Sequence, residues 1–155
     1  MPENKFKFDD LKYLVDEFKR EVPIKLAAQA QNYFVRSFSN QGWEGRKWQE
    51  VQRRIPGTKP YMYPKKKDLG RRKRPILIGK GSTKLRRAVV NSVRVRQWPT
   101  VRLVVDLPYA QVHNEGGQHT PQRKYMGHTS ELGRMQKTLI KRTIAGMFEK
   151  HKKKL

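Results

Sequence analysis

Apolar residues recur at helical spacing in the N-terminal part of the chain. Asp9 and Asp10 can cap and charge-stabilise a helix start. The apolar positions that follow are three or four residues apart and predict a helix: Leu11, Leu14, Val15, Phe18 and Val22. Pro23 either begins a second helix or kinks a single long one. Beyond it, one face carries Ile24, Ala27, Ala28, Phe34, Val35 and Phe38. Leu26 and Tyr33 lie on the opposite face, so this helix is expected to pack on two sides, with a neighbouring subunit supplying the second.

A second helical pattern lies near the C-terminus. Thr129 or Ser130 can cap it. Its wide apolar stripe is formed by Leu132, Met135, Leu139, Ile140, Ile144 and Met147. The basic stretch after it, residues 149–155, is expected to fray.

Between these helices the period changes to that of strands. Val93 and Val95 alternate with two arginines, and Val101, Leu103 and Val105 alternate with Arg102 and Asp106. A short Trp-Pro-Thr turn separates the two runs, which predicts an antiparallel pair. Residues 76–78, Ile-Leu-Ile, are expected to form a further short strand or edge.

The order of these elements predicts an α+β fold for one domain over residues 1–155. It would consist of a long N-terminal helix or helix pair, a long basic loop, a small antiparallel β-sheet and a C-terminal amphipathic helix. The loop covers residues 53–75, where ten Lys and Arg between Arg53 and Arg74 face a single acid and three prolines interrupt any period. Loops of this length in compact domains are functional or disordered.

The basic loop has two open interpretations. It is either a phosphate-contacting arm, with Tyr61 and Tyr63 available for stacking, or a solvated charge run. The residues that could contact DNA or a protein partner are Lys65, Lys66, Lys67, Arg71, Arg72, Lys73 and Arg74.

Charge is the strongest compositional feature. The 155 residues include 36 Lys and Arg against 13 Asp and Glu, a formal net charge of +23, which favours polyanionic or acidic partners. Without cysteine, disulfide frameworks and cysteine zinc sites are excluded. No apolar run is long enough to cross a membrane, and the first ten residues show no signal-peptide core. An intracellular or particle-bound protein is therefore expected.

The stretch PYAQVHNEGG, residues 108–117, contains the strongest candidates for chemistry. His113, Glu115 and His119, with His128 further on, could bind a metal in a nuclease. However, two glycines separate the histidines, and no spacing known for helical zinc sites is present. The alternative is a bend in which His113 and Asn114 bond the turning backbone and Gly116 and Gly117 allow its reversal. The bend is preferred, and no catalytic residue, metal or cofactor is expected.

Several segments together resemble the phage virion morphogenesis family, which includes tail completion proteins of Mu-like phages and prophages. The first matching segment carries Tyr109, Ala110, His113 and Gly116, and the second carries Pro121, Arg123, Tyr125, Met126 and Gly127. Upstream, GWEGRKWQEV with Trp43 and Trp48 is similar to the family's Gly-x-x-Trp segment. The stretch PILIGKGSTKLRRAV resembles a further family segment through Ile76, Leu77, Gly81, Leu85, Arg86, Ala88 and Val89. Lys80 stands where the family usually has Thr, and the basic insert between Pro56 and Pro75 is unusually rich in charge.

The resemblance implies a non-enzymatic structural protein of the phage head–tail joint, acting in tail completion or at the neck. Such a protein would form a homo-oligomeric ring around the DNA path and dock on the head connector, tail tube or tail terminator. Its location would be the virion, and the host cytoplasm during assembly. Two alternatives stay open: a stand-alone basic nucleic-acid-binding protein, and a metal-dependent nuclease that uses His113, Glu115 and His119.

Overall fold

The computed structural model describes residues 8–64, 70–79 and 82–152, and the predicted α+β fold is confirmed. Two long helices, α1 (Phe8–Asn40) and α5 (Ser130–Lys152), lie near the ends of the chain. Between them the described residues form the hairpins β1 (Gly42–Trp43) with β2 (Arg46–Lys47) and β3 (Val93–Gln97) with β4 (Thr100–Leu103), and three short α-helices. The short helices are α2 (Lys59–Met62), α3 (Lys84–Val90) and α4 (Ala110–Glu115).

Pro23 lies inside α1, so the interpretation of one long helix is confirmed. Its ring is fully buried beside Val22. Asp9 and Asp10 occupy the first described turn of this helix, where carboxylates complement the helix dipole.

The chain divides into two compact units, and α1 runs through both. Unit 1 comprises residues 1–30, 93–103 and 128–155, and unit 2 comprises residues 31–92 and 104–127.

In unit 1, α5 packs antiparallel on the first part of α1. Lys150 Nζ lies 2.9 Å from Glu17 Oε1 near one end of the pair, and Gln29 Nε2 donates to the Met135 carbonyl at 3.4 Å near the other. Thr129 caps α5, because its Oγ1 accepts a hydrogen bond from the Leu132 amide at 2.9 Å. The buried apolar side chains of this unit are Leu14, Val22, Ala27, Ala30, Leu132 and Met147.

The antiparallel pair β3–β4 also belongs to unit 1 and confirms the strand prediction. Gln97 pairs with Thr100 across the turn, and the register is irregular between Val93 and Val95. β4 ends at Leu103, so Val105 lies beyond the strand in which it was expected. The Trp98 ring of the turn contacts Phe18 edge-on at 5.2 Å.

Unit 2 has a core of aromatic and aliphatic side chains: Phe34, Phe38, Trp48, Ile76, Leu85, Val89, Ala110 and Tyr125. The prediction of a strand at residues 76–78 is wrong. Ile76 is buried, but Leu77 has a φ of 60°, which breaks an extended run, and only an isolated bridge joins Gly79 to Ser82.

The basic loop at residues 53–75 is less irregular than expected. Gln52–Arg54 form a 3₁₀ turn and α2 follows after Gly57. Arg53 organises the later part, since its guanidinium donates to the carbonyls of Arg71 (3.0 Å), Arg74 and Pro75 (both 3.1 Å). The half-buried guanidinium of Arg53 thus supplies hydrogen bonds to backbone carbonyls that a regular element would otherwise provide.

The stretch expected to be a bend at residues 108–117 is also more regular. Residues 110–115 form α4, and the reversal follows at Gly116, whose φ is 89°. Tyr109 and Val112 are 41% and 42% exposed, because α4 turns its Ala110 side inward.

Candidate functional site

The segments that carry the family resemblance come together in unit 2. Trp48 Nε1 donates to the Lys124 carbonyl at 2.7 Å, and the Trp48 ring meets Phe38 edge-on at 5.8 Å. Phe38 in turn contacts the Tyr125 ring at 5.5 Å. The Tyr125 hydroxyl donates to the Ala110 carbonyl at 3.0 Å. Four separate stretches of sequence are therefore joined through aromatic side chains, and the Trp48 N–H and the Tyr125 hydroxyl also donate hydrogen bonds to backbone carbonyls.

Hydrogen bonds from polar side chains complete this junction. Asn114 Oδ1 accepts from the backbone amides of Tyr125 at 3.0 Å and Met126 at 3.1 Å, as the predicted turn role of Asn114 requires. Arg123 is only 7% exposed and donates to the Gln49 carbonyl from Nε at 3.3 Å and Nη2 at 3.2 Å. Its own amide donates to the His113 carbonyl at 2.7 Å.

The remaining motif residues have structural or exposed positions. Trp43 lies against Phe34 and Tyr33, with the Lys124 ammonium 5.7 Å from its ring centroid. Leu85 is buried in α3, whereas its neighbour Arg86 is exposed. Gly127 has a φ of 153°, and the φ of Gly116 lies in the region that side chains rarely adopt.

A pocket of about 330 Å³ opens beside this junction, and four predicted site residues line it: Leu85, Tyr109, His113 and Arg123. Arg53 and Lys84 add two further cationic groups. The apolar part of the wall is formed by Val51, Ile76, Leu77, Ile78 and Leu85. Among the described lining residues none is acidic, so a carboxylate or phosphate group suits the pocket and a metal cation does not.

Burial shifts the pKa values of the groups around the pocket. It lowers the pKa of His113, and the nearby Arg123 charge lowers it further, so the imidazole is neutral at pH 7. Burial also lowers the pKa of Arg123, and that of Arg53, which Arg74, Arg71 and Arg54 reduce further. The predicted hydrogen bond from the His113 side chain to the turn is wrong: Nδ1 is buried without a partner in the described structure, and the backbone carbonyl accepts instead.

The metal-binding alternative finds no geometric support. In residues 8–64, 70–79 and 82–152, no group of three His, Asp or Glu side chains is placed to hold a metal ion. Glu115 accepts a hydrogen bond from Gln111 Nε2 at 3.0 Å, and both Glu115 and His119 are exposed.

Some of the predicted basic contacts are used within the chain. The Arg72 guanidinium lies 4.0 Å from the Tyr61 ring centroid and also donates to the Tyr61 carbonyl. One face of the Tyr61 ring, which was expected to be available for stacking, is therefore covered by Arg72. Tyr63 is 79% exposed, and Lys73 is exposed. Arg71 and Arg74 are half-buried, while Lys65, Lys66 and Lys67 lie outside the described residues.

One surface was missed by sequence reasoning. In unit 1 the helices α1 and α5 leave an apolar groove of about 230 Å³, lined by Leu11, Leu14, Val15, Phe18, Ile144, Met147 and Phe148. Six of these residues belong to the predicted apolar stripes and Phe148 follows Met147 directly, and such stripes ordinarily indicate core. The spacing of apolar residues along a helix does not show whether their side chains are buried in a core or exposed in a groove.

Comparison with known proteins yields no relative: no family model, no curated protein and no solved structure matches the chain. Among the described helices, none is long and apolar enough for a membrane span.

Proposed function

We propose that this chain is a non-enzymatic assembly protein of the phage head–tail joint, acting as a tail completion or neck protein. The observation that carries the proposal is the junction in unit 2, where the separate segments that resemble the virion morphogenesis family meet through Trp48, Tyr125 and Arg123. The residues that resemble the family motifs make hydrogen bonds and ring contacts that hold the segments together, and a catalytic role is not needed to explain their presence.

Charge supports a position beside DNA. Residues 31–92 and 104–127, which make up unit 2, contain 19 Lys and Arg against 5 Asp and Glu. A ring of such subunits around a DNA path would neutralise phosphate charge without reading sequence. Its partners would be the head connector, tail tube or tail terminator, in the virion and, during assembly, in the host cytoplasm.

The test is to silence the gene in a phage that carries it and to image the lysate by negative-stain electron microscopy. DNA-filled heads beside separate tails are expected, and the wild-type gene supplied in trans should restore whole virions. Normal virions, or heads that never fill, would contradict the proposal.

The basic loop can be tested in the same complementation assay. Replacing Lys65, Lys66 and Lys67 by Gln is expected to reduce phage yield without lowering the melting temperature of the purified chain. A matched control removes the same charge from exposed positions elsewhere, through Arg36→Gln, Arg96→Gln and Arg134→Gln. An equal loss of yield from both triple variants would mean that total charge, not the loop, matters.

A stand-alone nucleic-acid-binding protein is the second candidate, favoured by exposed Tyr63 and Lys73 on the basic loop. It predicts tight binding of naked DNA or RNA by the monomer, falling steeply as salt rises. The assembly protein should bind free DNA loosely. Incubation with plasmid tests the nuclease alternative. Plasmid cleavage that disappears in the His113→Ala variant would contradict both the assembly role and the nucleic-acid-binding role.

A further inference from the structure

The unit 1 groove exposes apolar side chains that a finished core would bury. Leu11 and Val15 on α1 are 43% and 41% exposed, and Ile144 and Phe148 on α5 are 37% and 38% exposed. Leu14 and Met147 form its buried floor. The groove is therefore a concave apolar strip held between two packed helices.

The spacing of the positions that line the groove suits another helix. Leu11, Val15 and Phe18 follow one another at i, i+4 and i+7 along α1. Ile144 and Phe148 are four residues apart on α5. A helix laid between them would present its own i, i+3, i+4 and i+7 anchors to both walls, the usual mode of helix-in-groove recognition.

Lysines flank the groove on both helices. Residues three or four apart are neighbours on a helix surface, which places exposed Lys12 and Lys19 beside Val15. By the same spacing, exposed Lys141 lies beside Ile144 and exposed Lys152 beside Phe148.

The nearby acids compensate this charge only in part. Asp9, Asp16 and Glu149 are the exposed acids close to these positions in the described chain, and Glu149 lies 3.4 Å from Lys152. Glu17 is buried and pairs with Lys150, and Asp10 pairs with His151. The rim of the groove is therefore positive.

We propose that the unit 1 groove binds an amphipathic helix of another protein, with Asp and Glu flanking its apolar face. A second copy of this chain fits less well: α5 carries six Lys and Arg against two Glu, and α1 mixes Lys12 and Lys19 with its acids. A concave strip between two helices also favours a rod-shaped occupant over a flat lipid surface. The proposal depends on unit 1 alone and is independent of the role in head–tail joining.

The probe is a labelled synthetic helix of about 18 residues with Leu at i, i+3, i+4 and i+7 and Glu on its flanks. Binding to the full chain is measured by fluorescence anisotropy at about 0.15 M salt, where long-range attraction is screened. Two control peptides replace either the Glu flanks by Lys or the Leu anchors by Gln. The Glu–Leu peptide is expected to bind at least about tenfold more tightly than either control.

Variants of the chain locate the binding. Val15→Asp with Ile144→Asp should weaken the Glu–Leu peptide about tenfold or more, because both side chains line the groove. Lys19→Glu with Lys141→Glu, which leaves the apolar walls intact, should reverse the preference between the Glu and Lys peptides. Arg86→Gln with Arg87→Gln, on exposed positions of α3, removes two charges in unit 2 and should leave both affinities unchanged.

Three results would overturn the proposal. Equal binding of the Leu-free acidic peptide would show general attraction to the +23 chain. Self-association that is lost in the Val15→Asp, Ile144→Asp variant would assign the groove to a second copy. Tighter, groove-dependent binding to vesicles of about 30% phosphatidylserine would assign it to a membrane surface. Failure of the head–tail role in the phage assay would leave these peptide measurements unaffected.

Discussion

Tyr125 shows how one buried side chain joins distant segments. It is 2% exposed, its ring contacts Phe38, and its hydroxyl donates to the Ala110 carbonyl. Burial raises the pKa of this phenol to about 12, with a contribution from Tyr109. The hydroxyl is therefore a constant donor to α4 at neutral pH.

Replacing Tyr125 by Phe is expected to lower the free energy of unfolding by about 1 kcal/mol, since one hydrogen bond is lost and the Ala110 carbonyl is left without its donor. In the wild-type chain the unfolded phenol ionises near pH 10, below the folded value, so stability should fall as pH rises above 10. In the Tyr125→Phe variant the free energy of unfolding should fall less steeply above about pH 10, because this phenol is absent. Urea unfolding at about pH 8 and about pH 10.5 measures both effects. The exposed Tyr63→Phe is the control, and an equal change there would contradict the assignment.

The lowered pKa of His113 predicts that the stability of the folded chain falls as the pH becomes acidic. Its lowered folded pKa means that the unfolded state binds more protons as pH falls through the ordinary value of about 6.5. The stability that depends on a neutral His113 is therefore present above that pH and is lost below it. His113→Gln should make the melting temperature less sensitive to acidification from about pH 7.5 to about pH 5.5. The same change at exposed His119 should not, and a similar slope in both variants would remove His113 as the source.

At the scale of elements, two glycines give opposite expectations for the same substitution. Gly116 ends α4 at a φ of 89°, and an added Cβ would lie 3.3 Å from Gln122 Cβ. Gly116→Ala should therefore cost about 1–3 kcal/mol. Gly146 lies inside α5 with open space around it, so Gly146→Ala should stabilise by about 0.5–1 kcal/mol. Urea unfolding of both variants checks the pair, and a stabilising Gly116→Ala would contradict the backbone assignment.

Elements with a sustained period were predictable, because many residues contribute to the same signal. The helical stripes predicted α1 and α5, alternation predicted β3 and β4, and of the two cap candidates, Thr129 and Ser130, the structure uses Thr129. The failures are short elements, such as α4 and the run at Ile76, where contacts from elsewhere in the chain decide the backbone. Arg53 folds part of the basic loop through carbonyls about twenty residues away, a pairing that no local pattern encodes.

The candidate site was predictable only in its residue types. Tyr109, His113 and Arg123 stood out in the sequence and do line one pocket, but Arg53 and Lys84 join them only through the tertiary fold. The groove was hidden because Leu11 and Val15 have the same spacing whether they are buried or 40% exposed. Periodicity specifies which side chains share a face and leaves open what covers that face.

At the scale of the whole molecule, the charge opposes folding. A net +23 on 155 residues repels itself in the compact state, and salt screens that repulsion. The melting temperature should therefore rise when NaCl increases from about 0.02 M to about 0.3 M. Exposed pairs such as Lys25–Glu21, at 2.7 Å, weaken under the same change but contribute only about 0.3–0.5 kcal/mol each. Differential scanning fluorimetry measures the trend, which should be shallower in the Arg36→Gln, Arg96→Gln, Arg134→Gln variant. A falling melting temperature would mean that attractive pairs dominate.

The unit 1 groove has one wall from α1 and the other from α5, so all of unit 2 is synthesised between its two halves. Synthesis proceeds from the N-terminus, and the loop that brings the walls together can close only after Ile144 and Phe148 have left the ribosome. A chain that stops after Gly127 and before Ile144 has the residues of the unit 2 junction and none of the second wall. The groove thus exists only in a chain that contains both helices, and a partner that recognises it would bind no chain that stops before α5.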